Sequence, residues 1–197
     1  MISISEIFGN AGNQADFAVV HRAQDNNSRP NLVFQPSPFV LQRFLSRKNK
    51  LQDDSPIGPA VLASWFYDLV SAFAHCHWKN VVIRQLHPDQ IVVEYCGIAK
   101  LSGLYRSTVM SVEERNNPPD PVRAARAARK KKEGKAKKKD DDDFSVSVYG
   151  APEILMGSPV YSKESDVWML GCLLAHLLLN KPLFQGKERG VLLAAQF

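Results

Sequence analysis

His75 and His77 could ligate a metal ion, and Cys76, Cys96 and Cys172 could supply thiolates, if their spacing brought them together. The two histidines stand at i, i+2, which puts them on different faces of a helix. The three cysteines lie far apart with no metal-ligand spacing, so buried, reduced thiols are expected. No metal site is expected. The remaining chemistry is one of charge. Residues 123–143 hold ten Lys/Arg and five Asp/Glu, which equals the whole net charge of +5. The rest of the chain balances 15 basic against 15 acidic groups, so a basic surface, where there is one, is local to this block. The basic tract opens on Arg123, closes on Lys139 and is followed by four aspartates. Like-charged blocks stay solvated because they cannot bury a core. Three readings stand: a solvated insert with no dedicated role, a nuclear-import signal, or a contact with nucleic acid or another polyanion. No aromatic residue interleaves the basic ones, which counts against base stacking. The acidic run could also fold back and neutralise the tract.

Residues 81–93, V-V-I-R-Q-L-H-P-D-Q-I-V-V, read as a strand end, a polar loop and a second short strand. The stretch resembles the catalytic loop of the eukaryotic protein kinases, H-R-D-L-x-x-x-N. It keeps Arg84, Leu86 and the apolar Ile91, Val92 and Val93, with Pro88 at the usual loop proline. The signature's His is Ile83, its catalytic base is Gln85 and its metal-ligating Asn is Gln90. Gly103-Leu104-Tyr105 stands where the family has D-F-G. That Asp coordinates Mg²⁺ on the phosphates, and Gly103 has no side-chain ligand atom. Leu104 keeps the apolar character of the Phe, and Tyr105 puts a bulky ring where the family has Gly.

Further along, Ala151, Pro152 and Glu153 match A-P-E without change. The stretches L-M-G-S-P-V-Y (155–161), D-V-W-M-L-G-C (166–172) and K-P-L-F-Q-G (181–186) resemble the cyclin-dependent kinase branch. Asp166, Trp168 and Gly171 carry the second of these. The chain departs from the pattern at Val146, where the Ser/Thr kinases place a Thr, and at Tyr149-Gly150, where the cyclin-dependent branch has Tyr-Arg. The resemblance implies that Asp166 holds the catalytic-loop backbone by hydrogen bonds, a structural role. It also implies that Glu153 lacks its family partner, an Arg in the last helices.

These motifs need elements to position them. Residues 17–21 and 31–35 read as two strands around a polar turn at 26–30, an antiparallel pair. In the family this pair leads into the hinge, here 36–38. Residues 17–21 cannot be the strand with the nucleotide-binding lysine. Too few residues separate them from the next strand to hold the helix with the partner Glu. No G-x-G-x-x-G loop occurs either, so most of the small lobe is expected to be absent. Phe39, Val40, Leu41, Phe44 and Leu45 have helical spacing. A breaker cluster at 55–59 precedes a long helix that starts at Pro59 and ends near His77. Its apolar stripe of Val61, Leu62, Trp65, Phe66, Leu69, Val70 and Phe73 is expected to be core. Residues 98–101 read as a strand after a turn. Ser162 is a helix N-cap before a helix apolar nearly all round, expected to be buried centrally. Another apolar helix starts at Gly190. The segment 106–150, with its surplus at 111–143, is longer than the resemblance implies for an activation segment.

The expected fold is α+β and protein-kinase-like: mainly the helical large lobe, with a remnant of the small-lobe sheet. The expected divisions are 1–35 for the remnant and 36–197 for a large lobe incomplete at its C-terminus. At 197 residues, 45% of them hydrophobic, the chain can form one sizeable domain. No signal peptide is expected from residues 1–16, which lack a basic n-region and a long apolar h-region, and the most apolar run, 167–179, is too short for a membrane span. A soluble protein of the nucleus or cytoplasm is expected. Three functions follow from the resemblance. The first is a pseudokinase, a binding or regulatory module with catalysis impaired. The second is an active serine/threonine kinase of the cyclin-dependent type. The third is a truncated fragment without function. No cofactor is expected for the first; ATP and Mg²⁺ belong to the second. The partners expected are a protein bound through the large lobe and a polyanion or import receptor at Arg123 to Lys139, with no membrane contact.

Overall fold

The computed structural model describes residues 20–24, 30–34, 39–110, 120, 147–186 and 188–197, with 20–24 and 30–34 described as backbone and Tyr105 without its side chain. The hinge at 36–38, the insert at 111–143 save Asp120, and Val146 lie outside the described residues. The chain divides into two compact units: Met1–His75 with Pro88–Leu104, and Cys76–His87 with Tyr105–Phe197.

In the first unit, β1 (Val20–Gln24) and β2 (Pro30–Phe34) pair antiparallel with Val20 opposite Phe34. β1 runs on to Gln24, beyond the expected end at His21, because ladder hydrogen bonds set a strand's length irrespective of polarity. A three-stranded sheet has the order β3 (Phe39–Val40), β5 (Ile91–Val93), β6 (Ala99–Leu101). Phe39 and Val40 are thus strand residues, although their spacing predicts a helix. They pair with Val93 and Val92. Their apolar side chains fit both periods, and tertiary pairing decides between them. The Phe39 ring joins Phe44 and Trp65 at centroid distances of 6.0 Å each.

The helix proper, α1, is Leu41–Lys50, and it buries Leu41 and Leu45 four residues apart. α2 is Pro59–Trp78, a 20-residue helix with proline in its first turn as expected. Its buried line is Leu62, Trp65, Leu69, Phe73 and Cys76, at three- and four-residue steps. Val61 and Val70 are 47% and 41% exposed, so the stripe read from the sequence is too wide. Apolar residues cover most of this helix, and only one face meets the sheet. Two α2 side chains fasten the β5–β6 hairpin. Trp65 Nε1 donates to the Gly97 carbonyl at 3.0 Å, and Asp68 Oδ2 accepts from Ala99 N at 3.0 Å.

The second unit holds β4 (Val81–Val82) paired antiparallel with β7 (Thr108–Val109), then α3 (Pro152–Leu155), α4 (Lys163–Leu179) and α5 (Arg189–Ala194). Ser162 caps α4 in a reciprocal box with Ser165, which satisfies two helix N–H groups that would otherwise be orphaned. Asn180 closes the helix in the left-handed region, φ 54°. Leu173 and Leu177 are fully buried, each contributing about 1.5–3 kcal/mol of transfer free energy. The expectation that α4 is buried centrally holds for one side only. Val167, Leu178 and Leu179 are 59%, 56% and 49% exposed, because the described elements pack on one side of it. Nor are all the cysteines buried: Cys96 sits exposed in the turn between β5 and β6. Among the described residues, no helix is long and apolar enough to cross a membrane.

Candidate functional site

In the second unit, the loop after β4 is held from below by one carboxylate. Asp166, in the first turn of α4, is 0% exposed. Its Oδ2 accepts from Ile83 N at 2.7 Å and its Oδ1 from Arg84 N at 2.9 Å. His77 Nε2 lies 2.9 Å from the same Oδ2. A buried carboxylate with three partners is a strong anchor, since charge-assisted bonds outweigh neutral ones. The anchor holds Arg84 at φ 68°, a region an L-residue rarely adopts. The Arg84 guanidinium then lies 4.5 Å from the centroid of the Tyr161 ring and donates to Thr108 Oγ1 at 3.0 Å.

Gln85, at the position that the resemblance gives to the base, borders a cavity of about 20 Å³ with Ser147, Gly150, Tyr161, Ser165 and Met169. Its Oε1 is buried and has no hydrogen-bond partner among the described residues. An amide oxygen has no useful basicity near neutral pH, so this side chain can accept a hydrogen bond and cannot take up a proton as a carboxylate does. Ser165 Oγ also donates to Glu153 Oε1. The A-P-E glutamate therefore has a partner, though a serine and not the family's arginine.

In the first unit, the positions that the resemblance gives to the two metal ligands touch each other. Gln90 is 6% exposed at the end of the short 3-10 helix Pro88–Gln90. Its Nε2 donates to the Gly103 carbonyl at 3.2 Å, and its own carbonyl accepts from Ser102 N at 2.7 Å and Ser102 Oγ at 3.0 Å. Gly103 has φ +73°, and a Cβ placed on it would meet Gln90 Cγ at 3.0 Å. Mg²⁺ takes oxygen ligands, carboxylates foremost, in near-ideal octahedral geometry. Here one position offers no side chain and the other turns an N–H donor inward, so the residues present do not fit the ion.

Three buried groups in the second unit are shifted towards their neutral forms. Burial, with the Asp166 charge adding to it, pushes the Cys76 thiol up to about 12. Burial pushes Cys172 up to about 11. Neither is a reactive thiolate. His176 is lowered from its ordinary value, first by burial and then by His87. Its Nδ1 lies 2.6 Å from Tyr149 Oη.

The residues singled out from the sequence thus separate. Arg84, Gln85, Ala151, Glu153 and Asp166 meet in the second unit, around the loop and its cavity. Gln90 and Gly103 meet in the first. Trp168 stacks on Phe184 at 6.2 Å, and a Cβ added at Gly171 would meet open space. Sequence reasoning missed His77, Thr108, Tyr161, Ser165 and the Tyr149–His176 pair. Apart from the box of Ser165 with Ser162, no local pattern marks them, because the partners they meet here are 12 to 89 residues away.

Comparison with known proteins agrees with these motifs. The family profile described as "Protein kinase domain" matches residues 39–196. The chain is 29% identical over 155 residues to "Cyclin-dependent kinase 2" of Caenorhabditis elegans, an alignment covering 76% of this chain and 36% of that one. It is 27% identical over 166 residues to "Probable serine/threonine-protein kinase glkA" of Dictyostelium discoideum, covering 84% of this chain and 28% of the relative. The chain spans about a third of the length of the curated relatives it matches.

Proposed function

This chain belongs to the protein kinase family, and from that premise we propose that it is a catalytically impaired member acting as a binding or regulatory module. The observation that carries the reading is the Gln90–Gly103 contact. At the two positions where the family ligates the metal, one side chain is missing and the other is hydrogen-bonded across the gap. Gln85 in place of the base supports the same reading. Loss of a general base alone costs roughly 10²–10⁴-fold, and phosphoryl transfer depends chiefly on positioning and on metal-assisted charge stabilisation.

The pseudokinase would bind a protein through the surface of its helical part. The tract from Arg123 to Lys139 would add a polyanion or import-receptor contact. The alternative is phosphate transfer from ATP to protein, in keeping with the kinase names of its relatives. It predicts turnover of a basic substrate with radiolabelled ATP and Mg²⁺ or Mn²⁺. The expected result is none above background. Turnover that survives purification to homogeneity and follows the protein through each column would overturn the reading.

A further inference from the structure

Ser55 stands exposed in the connection between α1 and α2, residues 51–58. Proline follows it, which holds its backbone extended. Its hydroxyl belongs to a three-residue net within the first unit. Ser55 Oγ donates to Asp53 Oδ1. Lys48 Nζ, from the last turn of α1, donates to Ser55 Oγ at 3.2 Å, to the Ser55 carbonyl at 2.5 Å and to Asp53 Oδ2 at 3.2 Å. Ser55 N donates to Asp53 Oδ1 at 3.0 Å. The Lys48 side chain is only 9% exposed, whereas that of Asp53 is 44% exposed. One sheltered cation is thus fixed beside a hydroxyl that solvent reaches.

We propose that Ser55 is a phosphorylation site for a proline-directed serine kinase, and that its phosphate takes Lys48 from Asp53. The proposal does not depend on whether this chain itself transfers phosphate. The sequence has two other Ser-Pro steps. Ser158, before Pro159, is 5% exposed and out of a kinase's reach. Ser37, before Pro38, lies outside the described residues. Among the described residues, Ser55 alone combines the proline with an open hydroxyl.

Transfer from ATP forms a bond between Ser55 Oγ and the γ-phosphorus as the bond to the bridging oxygen breaks. ADP leaves, and the hydroxyl proton passes to the base of the acting kinase. The ester oxygen then has no proton to give Asp53 Oδ1. The phosphate, with a charge of about −2, also stands against the carboxylates of Asp53 and Asp54. Lys48 cannot follow Asp53 outward, because its stem is buried and its ammonium also holds the Ser55 carbonyl. At equal distance that ammonium is drawn about twice as strongly to a dianion as to a carboxylate. Asp53 therefore turns to solvent, and Ser55 N loses its acceptor. The Asp53 carboxyl is held below its ordinary value first by the Ser55 hydroxyl, then by the Ser55 N–H and by Lys48. Phosphorylation removes all three.

The test treats the full chain with ATP, Mg²⁺ and an active proline-directed kinase, and maps the sites by tandem mass spectrometry. Ser55 should carry phosphate and Ser158 should not. Phosphorus NMR of the modified chain then follows the second ionisation of the phosphate, ordinarily at about 6. It should lie lower by about one unit in the folded chain than in the same chain in urea, because Lys48 faces the dianion. Lys48→Met keeps a long apolar stem and should remove that difference. Amide exchange at Ser55 should quicken on phosphorylation. A native chain left unmodified at Ser55 would overturn the site. A phosphate that ionises alike in both states, a shift that survives Lys48→Met, or unchanged exchange at Ser55 would overturn the change of partner. If Lys48→Met does not fold, the other two measurements decide.

Discussion

Gln90 and Gly103 occupy each other's space. The Gln90 amide donates to the Gly103 carbonyl at 3.2 Å, and its Cγ stands 3.0 Å from where a Gly103 Cβ would be. Restoring a side chain at 103 therefore meets two obstacles, the left-handed backbone at φ +73° and a buried neighbour that must move. Gly103→Ala and Gly103→Asp should each lower stability by about 1–3 kcal/mol. The midpoint of urea denaturation measures this, and an unchanged midpoint would show that Gln90 yields freely.

The same contact bears on rescue of catalysis. Gln85→Asp, Gln90→Asn and Gly103→Asp made together restore the base and both ligand types. No kinase activity is expected even so, with or without Tyr105→Gly. These 197 residues contain no G-x-G-x-x-G loop, and their first lysine, Lys48, lies on α1. Without that cradle the nucleotide is not aligned, and alignment is worth roughly 7–11 kcal/mol of a barrier. An ATP-dependent thermal shift together with turnover in either variant would count against the pseudokinase reading.

Asp166 ties α4 to the backbone of Ile83 and Arg84 and to His77 from a fully buried position. Asp166→Ala takes the acceptor from the Ile83 and Arg84 N–H groups and the carboxylate from His77, at a cost of about 3–5 kcal/mol. The variant should unfold or aggregate on expression. Asp166→Asn keeps one acceptor oxygen and should be milder. Amide exchange at Ile83 and Arg84 reads the difference directly. Wild-type protection at both positions in Asp166→Ala would mean that the loop is held by something else.

Heparin or DNA binding, when present, should reside in residues 123–143, where all the net positive charge lies. Affinity should weaken steeply with added salt because counterion release drives it. A chain lacking 123–143 should bind neither polyanion at low salt. Retained affinity would move the site to the body of the protein.

Apolar side chains stand exposed on α2, at Val61 and Val70, and on α4, at Val167, Leu178 and Leu179. Exposed apolar side chains can pair between copies and so favour association. The isolated chain should bind a hydrophobic dye in its folded state and self-associate as its concentration rises. A monodisperse monomer with a sharp cooperative melt and no dye binding would contradict this.

Much of the protein was legible in the order of its residues. A-P-E at 151–153, D-V-W-x-x-G-C at 166–172 and the loop around Arg84 point to the kinase family. The substitutions at 85, 90 and 103 are plain on the page, because a missing carboxylate is a matter of composition. Pro59 and Ser162 announce their helices, since first-turn and capping preferences act within a few residues. Packing decided the rest. Whether Phe39 and Val40 join a helix or a strand depends on Val92 and Val93, more than 50 residues away. Which face of α2 and α4 is buried depends on what lies against them, and an apolar pattern that circles a helix carries no such direction. The bonds of Asp166 to the loop, of Gln90 to Gly103 and of Tyr149 to His176 join residues 13 to 83 positions apart. A sequence records which groups can bond, and the fold alone sets which of them come within 3 Å.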